Sequence, residues 1–141
     1  MENALALGAT RDEIMEVLEL TSVLGIHTCT MGVPILMDEL RKMGRGDEVD
    51  NIEYGDHEKA LKESFIKNRG YWSPFWDDML KLSPEFFECY LDFSSVPWKS
   101  GTLEPKVKEF IYIAIDTATT HLHEEGARIH IRNALNYGAT K

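Results

Sequence analysis

The sequence predicts an all-α protein. Three observations carry that reading. Apolar residues recur at three- and four-residue spacing along most of the chain, the helical period. Start and stop signals bound those runs: a Thr-x-x-Glu box at 10–13, Ser-Pro pairs at 73–74 and 83–84, and a glycine at 138. No stretch shows the strict alternation of a half-buried strand.

Taken in order, about six to seven helices are expected. Thr10-Arg11-Asp12-Glu13 forms a capping box, in which the threonine oxygen accepts a backbone N–H and the glutamate reaches back. Ile14, Val17, Leu18, Thr21 and Leu24 follow at helical spacing. Gly25 interrupts. A second apolar stretch runs from Ile26 to about Leu40, where Gly32 and Pro34 suggest a bend or break. "KMGRGDEVDNIEYGD" is polar and glycine-rich and reads as a loop. Asp56 is placed to cap the next helix, which runs to about Asn68.

Gly70 separates that helix from "YWSPFWDDMLKL", a short aromatic-rich helix. "SPEFFECYLDFSSV" begins another, with Ser83 as N-cap and Pro84 at the first helical position. The aromatic runs read as core or subunit interface. "PWKSGTLEP" reads as a loop, and Pro105 stands near the start of a long helix with the apolar stripe Val107, Phe110, Ile111, Ala114 and Ala118. The last helix covers roughly Glu124 to Tyr137 and is ended by Gly138.

Length and composition set limits. A chain of 141 residues is expected to form one domain, 1–141, and 43% hydrophobic residues suffice for one core. The net charge of −9 argues against nucleic-acid binding, which needs basic patches to displace counterions from phosphates. "MENALALGATRDE" has no basic region of the kind that opens a signal peptide. No apolar run approaches the ~20 residues a membrane helix needs. Cys29 and Cys89 lie far apart and form no C-x-x-C, so two free thiols in a reducing, cytoplasmic setting are expected.

The segment "HLHEEGARIH" concentrates the chemistry. His121, His123 and His130 fall within it, with Glu124 and Glu125 between them. If the last helix has begun at His123, then His123 and His130 share a face. Ala127 lies between them there and Gly126 adjoins, so small side chains would leave room for a ligand. Histidine titrates near neutrality and is the usual proton shuttle. The plainer alternative is that these histidines cap a helix or meet a neighbouring subunit. A third alternative is metal binding by the three histidines and a glutamate, but the spacing matches no strong zinc signature, so no metal and no cofactor are expected.

Two further places could contribute. Glu109, beside Phe110 in the long apolar helix, is either a buried carboxylate suited to acid–base work or a solvated residue pairing with Lys106 or Lys108. His27 and Cys29 lie in "GIHTCTMG", where the imidazole could activate the thiol, although such a cysteine is more often simply buried.

These residues resemble a known family. Leu103-x-Pro105-Lys106-x-Lys108-Glu109, the run Ile113-Ala114-Ile115, and His130-x-x-x-Ala134-x-x-x-Gly138-Ala139-Thr140 are similar to the carboxymuconolactone decarboxylase family, which shares its helical fold with the alkyl hydroperoxidase D (AhpD) proteins. The resemblance covers roughly residues 2–40 and 75–141. It implies an AhpD-like all-α fold and a homo-oligomer, a trimer or hexamer. It implies loss of CO₂ from a small carboxylated lactone, with a proton delivered to carbon and no cofactor. His130 is the expected proton donor, with Glu109 or Glu125 orienting a histidine and His121 and His123 nearby. Arg128 or Arg132, and His27, are the expected substrate-holding groups, although helical spacing turns both arginines away from His130.

The peroxidase branch of that family uses a C-x-x-C before the histidine. Counting back from His130 by that spacing reaches His123 and Gly126. A thiol peroxidase is therefore the weaker reading, open only to a recruited Cys29 or Cys89. A non-catalytic oligomeric binding protein is the third. One family feature is absent: the acidic residue one turn before the histidine falls on Gly126, with Glu125 one place off.

The ends of the chain echo each other. "NALALGATR" at 3–11 returns as "NALNYGATK" at 133–141. In the family, GAT leads into the next helix, as it does at Thr10. A circularly shifted member, or one period of a tandem duplication, is expected. The helix pair beginning at Thr10 should then pack on a helix ending near Tyr137, of the same chain or of a neighbouring subunit.

Overall fold

The fold is that of a computed structural model, which describes residues 1–140; Lys141, the end of the second echo, lies outside the described residues. Every regular element among the described residues is a helix, and none is a strand. The helices are α1 (Glu2–Ala6), α2 (Arg11–Ser22), α3 (His27–Lys42), α4 (Asp47–Asp50), α5 (Asp56–Arg69), α6 (Phe75–Leu82), α7 (Pro84–Ser100), α8 (Pro105–Asp116) and α9 (Glu124–Asn136). Two short helices, α1 and α4, exceed the expected number. The chain forms two compact units. One joins Met1–Leu24 to the segment from Val96 onward; the other is Gly25–Ser95.

In the first unit α8 packs against α9, and α2 packs against α8. The capping box forms as expected: Glu13 N donates to Thr10 Oγ1 (3.1 Å) and Thr10 N donates to Glu13 Oε2 (2.7 Å). Within the chain, the Thr10 helix pair does not take the helix ending near Tyr137 as its main neighbour. The principal neighbour of α2 is α8, and α3 packs on α6 in the other unit. A buried carboxylate explains where α2 goes. Glu16 Oε2 accepts from Thr102 N (2.6 Å) and Leu103 N (2.8 Å), and Glu16 Oε1 lies 2.9 Å from Lys108 Nζ. A buried anion settles where donors converge, and these lie on the loop into α8 and on α8 itself.

The echo has a structural meaning. Gly8 and Gly138 both adopt left-handed backbone, at φ +95° and +82°. Ala9 N donates to Ala4 O (3.0 Å), and Ala139 N donates to Ala134 O (2.9 Å). Each copy is the same glycine-ended helix terminus.

The burial pattern of α8 departs from the expected stripe. Its buried residues are Lys108, Glu109, Tyr112 and Asp116, whereas Phe110, Ala114 and Ala118 are exposed. A charged face can turn inward when each group finds a partner there. Lys108 Nζ donates to Pro97 O (2.5 Å) as well as pairing with Glu16, and Glu109 pairs with α9.

In the second unit the core gathers Ile26, Leu61, Phe65, Trp76, Met79, Leu80, Phe87 and Leu91. Phe65 meets Tyr71 and Trp72 edge-on, at centroid separations of 5.6 and 5.4 Å. Phe86 and Phe93 remain about half exposed, so the aromatic runs are core on one face alone. Asp77 ties this unit together: its Oδ1 accepts from Tyr54 Oη (2.5 Å), Lys62 Nζ (2.8 Å) and Trp72 Nε1 (3.2 Å).

Several helix boundaries shift. α3 continues through Pro34, which costs one backbone hydrogen bond without breaking the helix. α7 continues through Pro97 to Ser100, where a loop was expected; Pro97 O is engaged by Lys108 Nζ and by Gly101 N (3.1 Å). Gly55, not Asp56, caps α5. Gly25 falls in a 3-10 turn, Val23–Ile26, so the helical path runs from Arg11 to Lys42. By length and composition this path holds a window apolar enough to cross a membrane, unlike the expectation from the sequence.

Candidate acid–base site

The α8–α9 contact brings two of the expected site residues together. Glu109 and His130 lie 21 positions apart in sequence, and Glu109 Oε2 is 2.6 Å from His130 Nδ1. Their side chains are 3% and 14% exposed, so the pair is shielded while one edge of the ring stays reachable. Asn133, one turn beyond His130, donates from Nδ2 to Glu109 Oε1 (3.3 Å). Both oxygens of the carboxylate are thereby engaged from α9. An ionised carboxylate accepts hydrogen bonds and cannot donate, so Nδ1 is the nitrogen that carries the proton. Nε2 is left for chemistry.

The ring is also held on its face. Tyr112, one turn after Lys108, lies under the imidazole at 4.6 Å between centroids, tilted by 30°. Trp98 stacks on Tyr112 in turn at 6.4 Å, and its Nε1 donates to Tyr112 Oη (3.4 Å). This aromatic pile limits rotation of the His130 ring.

A second carboxylate faces the other edge. Asp116 Oδ2 is 4.0 Å from His130 Nε2, and Asp116 Oδ1 is 3.8 Å from His123 Nδ1. Asp116 and His123 are both buried. His123 is the N-cap residue of α9, just outside the helix, and its ring lies 5.9 Å from that of His121. The room expected at Gly126 is occupied by the protein itself. A Cβ at position 126 would overlap Asp116 Oδ2 and His123 Nδ1, so glycine is required for this close approach.

Three of the remaining expected residues lie at the surface of α9. Arg128 is exposed and pairs with Glu124 along the surface of α9. Arg132 and Glu125 are exposed as well. His27 opens α3 in the second unit, whose residues also include Cys29, half-buried, and Cys89, exposed, both free thiols. Sequence reasoning missed Asp116, Tyr112 and Asn133. The signal was present in α8: Lys108, Glu109, Tyr112 and Asp116 recur at helical spacing, but the apolar stripe beside them was read as the inner face.

Comparison with known proteins agrees with the expected family. Residues 84–141 match the carboxymuconolactone decarboxylase family. No curated protein matches the chain. A solved structure, described as "a putative gamma-carboxymuconolactone decarboxylase subunit" of Burkholderia xenovorans LB400, is 50% identical with a TM-score of 0.92. The match covers 99% of this chain and 55% of that one, so this chain spans about half the length of its relative. The segment that matches the carboxymuconolactone decarboxylase family, residues 84–141, carries both α8 and α9 with Glu109 and His130.

Proposed function

We propose that the chain supports cofactor-free decarboxylation of a small carboxylated lactone, with Glu109 and His130 as the acid–base pair. The observation that carries this reading is the shielded Glu109–His130 contact at 2.6 Å, in a chain with no C-x-x-C. In the reaction, the bond from the ring carbon to the carboxylate breaks and CO₂ leaves. The electron pair passes into the conjugated lactone. His130, having taken up a proton from solvent at Nε2, delivers it to the substrate carbon, while Glu109 keeps Nδ1 hydrogen-bonded and the ring oriented. A site sheltered from water favours loss of the carboxylate, because the leaving group loses its hydration shell on binding.

Arg128 is engaged with Glu124 at the surface of α9, and Arg132 is exposed there. The reading includes a homo-oligomer of three or six copies in a cytoplasmic setting. Apolar side chains left exposed on α8 and α9, namely Phe110, Ile131, Leu135 and Tyr137, support an assembly.

The test is incubation of the purified protein with γ-carboxymuconolactone and related lactones, following absorbance and CO₂. Turnover with stoichiometric CO₂ supports the proposal. Absence of turnover across the panel, with peroxide consumed and Cys29 or Cys89 oxidised instead, would favour a recruited thiol.

A further inference from the structure

Glu109 accounts for one nitrogen of His130; nothing so far assigns a role to the group facing the other. Asp116 ends α8 and is 2% exposed, an uncommon place for a carboxylate. Its burial costs free energy that an ordinary surface aspartate would not pay. The packing is arranged to admit it. Position 126 has no side chain, and the volume a Cβ would take there is filled by Asp116 Oδ2 and the His123 ring. The backbone also fixes the approach: His123 N donates to Asp116 O at 2.8 Å, so the loop after α8 closes back on the residue that ends it.

We propose that Asp116 is a positioning residue of the site, whose two oxygens face one nitrogen of each imidazole, Oδ2 toward His130 Nε2 and Oδ1 toward His123 Nδ1. The separations of 4.0 and 3.8 Å are beyond direct hydrogen bonds. They are within the range over which a carboxylate orients a ring N–H and its local water. His130 then stands between two carboxylates with distinct duties. Glu109 holds Nδ1 at contact distance, and Asp116 directs the Nε2 edge that would face a substrate. His123 is drawn into the same cluster through the second oxygen. The inference rests on reading His130 as the acid–base group, but its test does not depend on turnover.

The experiment is ¹⁵N NMR of histidine-labelled protein, reading each ring nitrogen separately. In Asp116→Asn the resonances of His130 Nε2 and His123 Nδ1 are expected to move, while His130 Nδ1 stays where Glu109 holds it. In Glu109→Gln the pattern reverses, with Nδ1 of His130 moving most. Circular dichroism and melting confirm that each variant is folded. If Asp116→Asn does not fold, His123→Gln replaces it, and the Nε2 signal of His130 should still shift because Asp116 is released. Folded variants in which His130 Nε2 keeps its wild-type resonance overturn the proposal. A shift in that nitrogen in a protein whose wild type turns over none of the lactone panel would leave the ring contact standing and count against the decarboxylase reading alone, whereas undiminished turnover by Asp116→Asn would overturn the positioning role.

Discussion

Glu109 Oε2 sits 2.6 Å from His130 Nδ1, joining the middle of α8 to the middle of α9. The two helices form the most extensive helix pair in the chain, so the contact is built on rigid elements and not on a loop. Replacing Glu109 with glutamine keeps the shape and removes the charge. The amide can present its N–H₂ to the ring, which would make Nδ1 the acceptor and remove the carboxylate that supports the ring while it carries a proton on each nitrogen. A decrease in kcat of about 10²–10⁴ is expected, with a small change in KM, because general acid catalysis by the ring is what is lost. Steady-state kinetics on any lactone the protein turns over will show it. An equal rise in KM with kcat unchanged would indicate a binding role.

Glu16 and Lys108 form a buried ion pair that links α2 to α8. Removing one partner strands the other charge away from water. Lys108→Met is expected to cost about 3–5 kcal/mol, and the double variant Glu16→Gln/Lys108→Met less than the sum of the singles. Urea denaturation of the four proteins in the cycle measures both. Additive losses would mean that the pair is not coupled.

The same glutamate sets an acid limit. Burial pushes its carboxyl up, but the Leu103 and Thr102 N–H groups and Lys108 outweigh that and hold it below its ordinary value of 4.5. A group with a lowered folded value contributes stability that is present above 4.5. That stability is lost as pH falls below 4.5 and through the folded value. Melting temperature should therefore drop on the acid side, and Glu16→Gln should flatten that part of the profile. Profiles of wild type and variant that stay parallel below pH ~5 contradict this.

The paired helix ends offer a control for local strain. Gly8 and Gly138 share left-handed φ, and neither has an atom within 4 Å of where a Cβ would go. Alanine at either position should cost about 1 kcal/mol from backbone conformation alone. Thermal melts should show closely similar losses. A loss several-fold larger at Gly138 than at Gly8 would mean that the two ends are not equivalent.

In the second unit, Asp77 Oδ1 receives three donors, from Tyr54, Lys62 and Trp72. Burial raises the Asp77 carboxyl, but these donors, led by Lys62, hold it below the usual aspartate range. Burial and the Asp77 carboxylate push the Tyr54 hydroxyl up. Asp77→Ala leaves partly buried donors without their common acceptor and should cost about 2–4 kcal/mol, read by denaturant unfolding. A loss under about 0.5 kcal/mol would place these contacts among ordinary surface pairs.

Much of the fold was legible in the sequence because helix signals are local. The capping box at Thr10, Pro84 at the start of α7 and Gly138 at the end of α9 each act within one turn. The site was legible in part. His130 and Glu109 were named from pattern and family resemblance, while their contact depends on how two helices face each other. Hydrophobicity alone misdirected α8, because its buried face is Lys108, Glu109, Tyr112 and Asp116, a set that is stable only through partners on other segments. Asp116 was missed for the same reason. Its burial depends on the missing side chain at Gly126, ten residues later, which no periodicity reveals. The burial of Glu16 in α2 has no local signal, because it depends on Thr102, Leu103 and Lys108, far away in sequence.

The most direct measurement is CO₂ release from γ-carboxymuconolactone by wild-type protein and by His130→Gln, at equal concentration and confirmed fold. Wild-type protein should release one CO₂ per lactone consumed, and the variant should retain no more than about one-hundredth of that rate. A folded His130→Gln protein that turns over as fast as wild type would contradict the assignment of His130 as the proton donor.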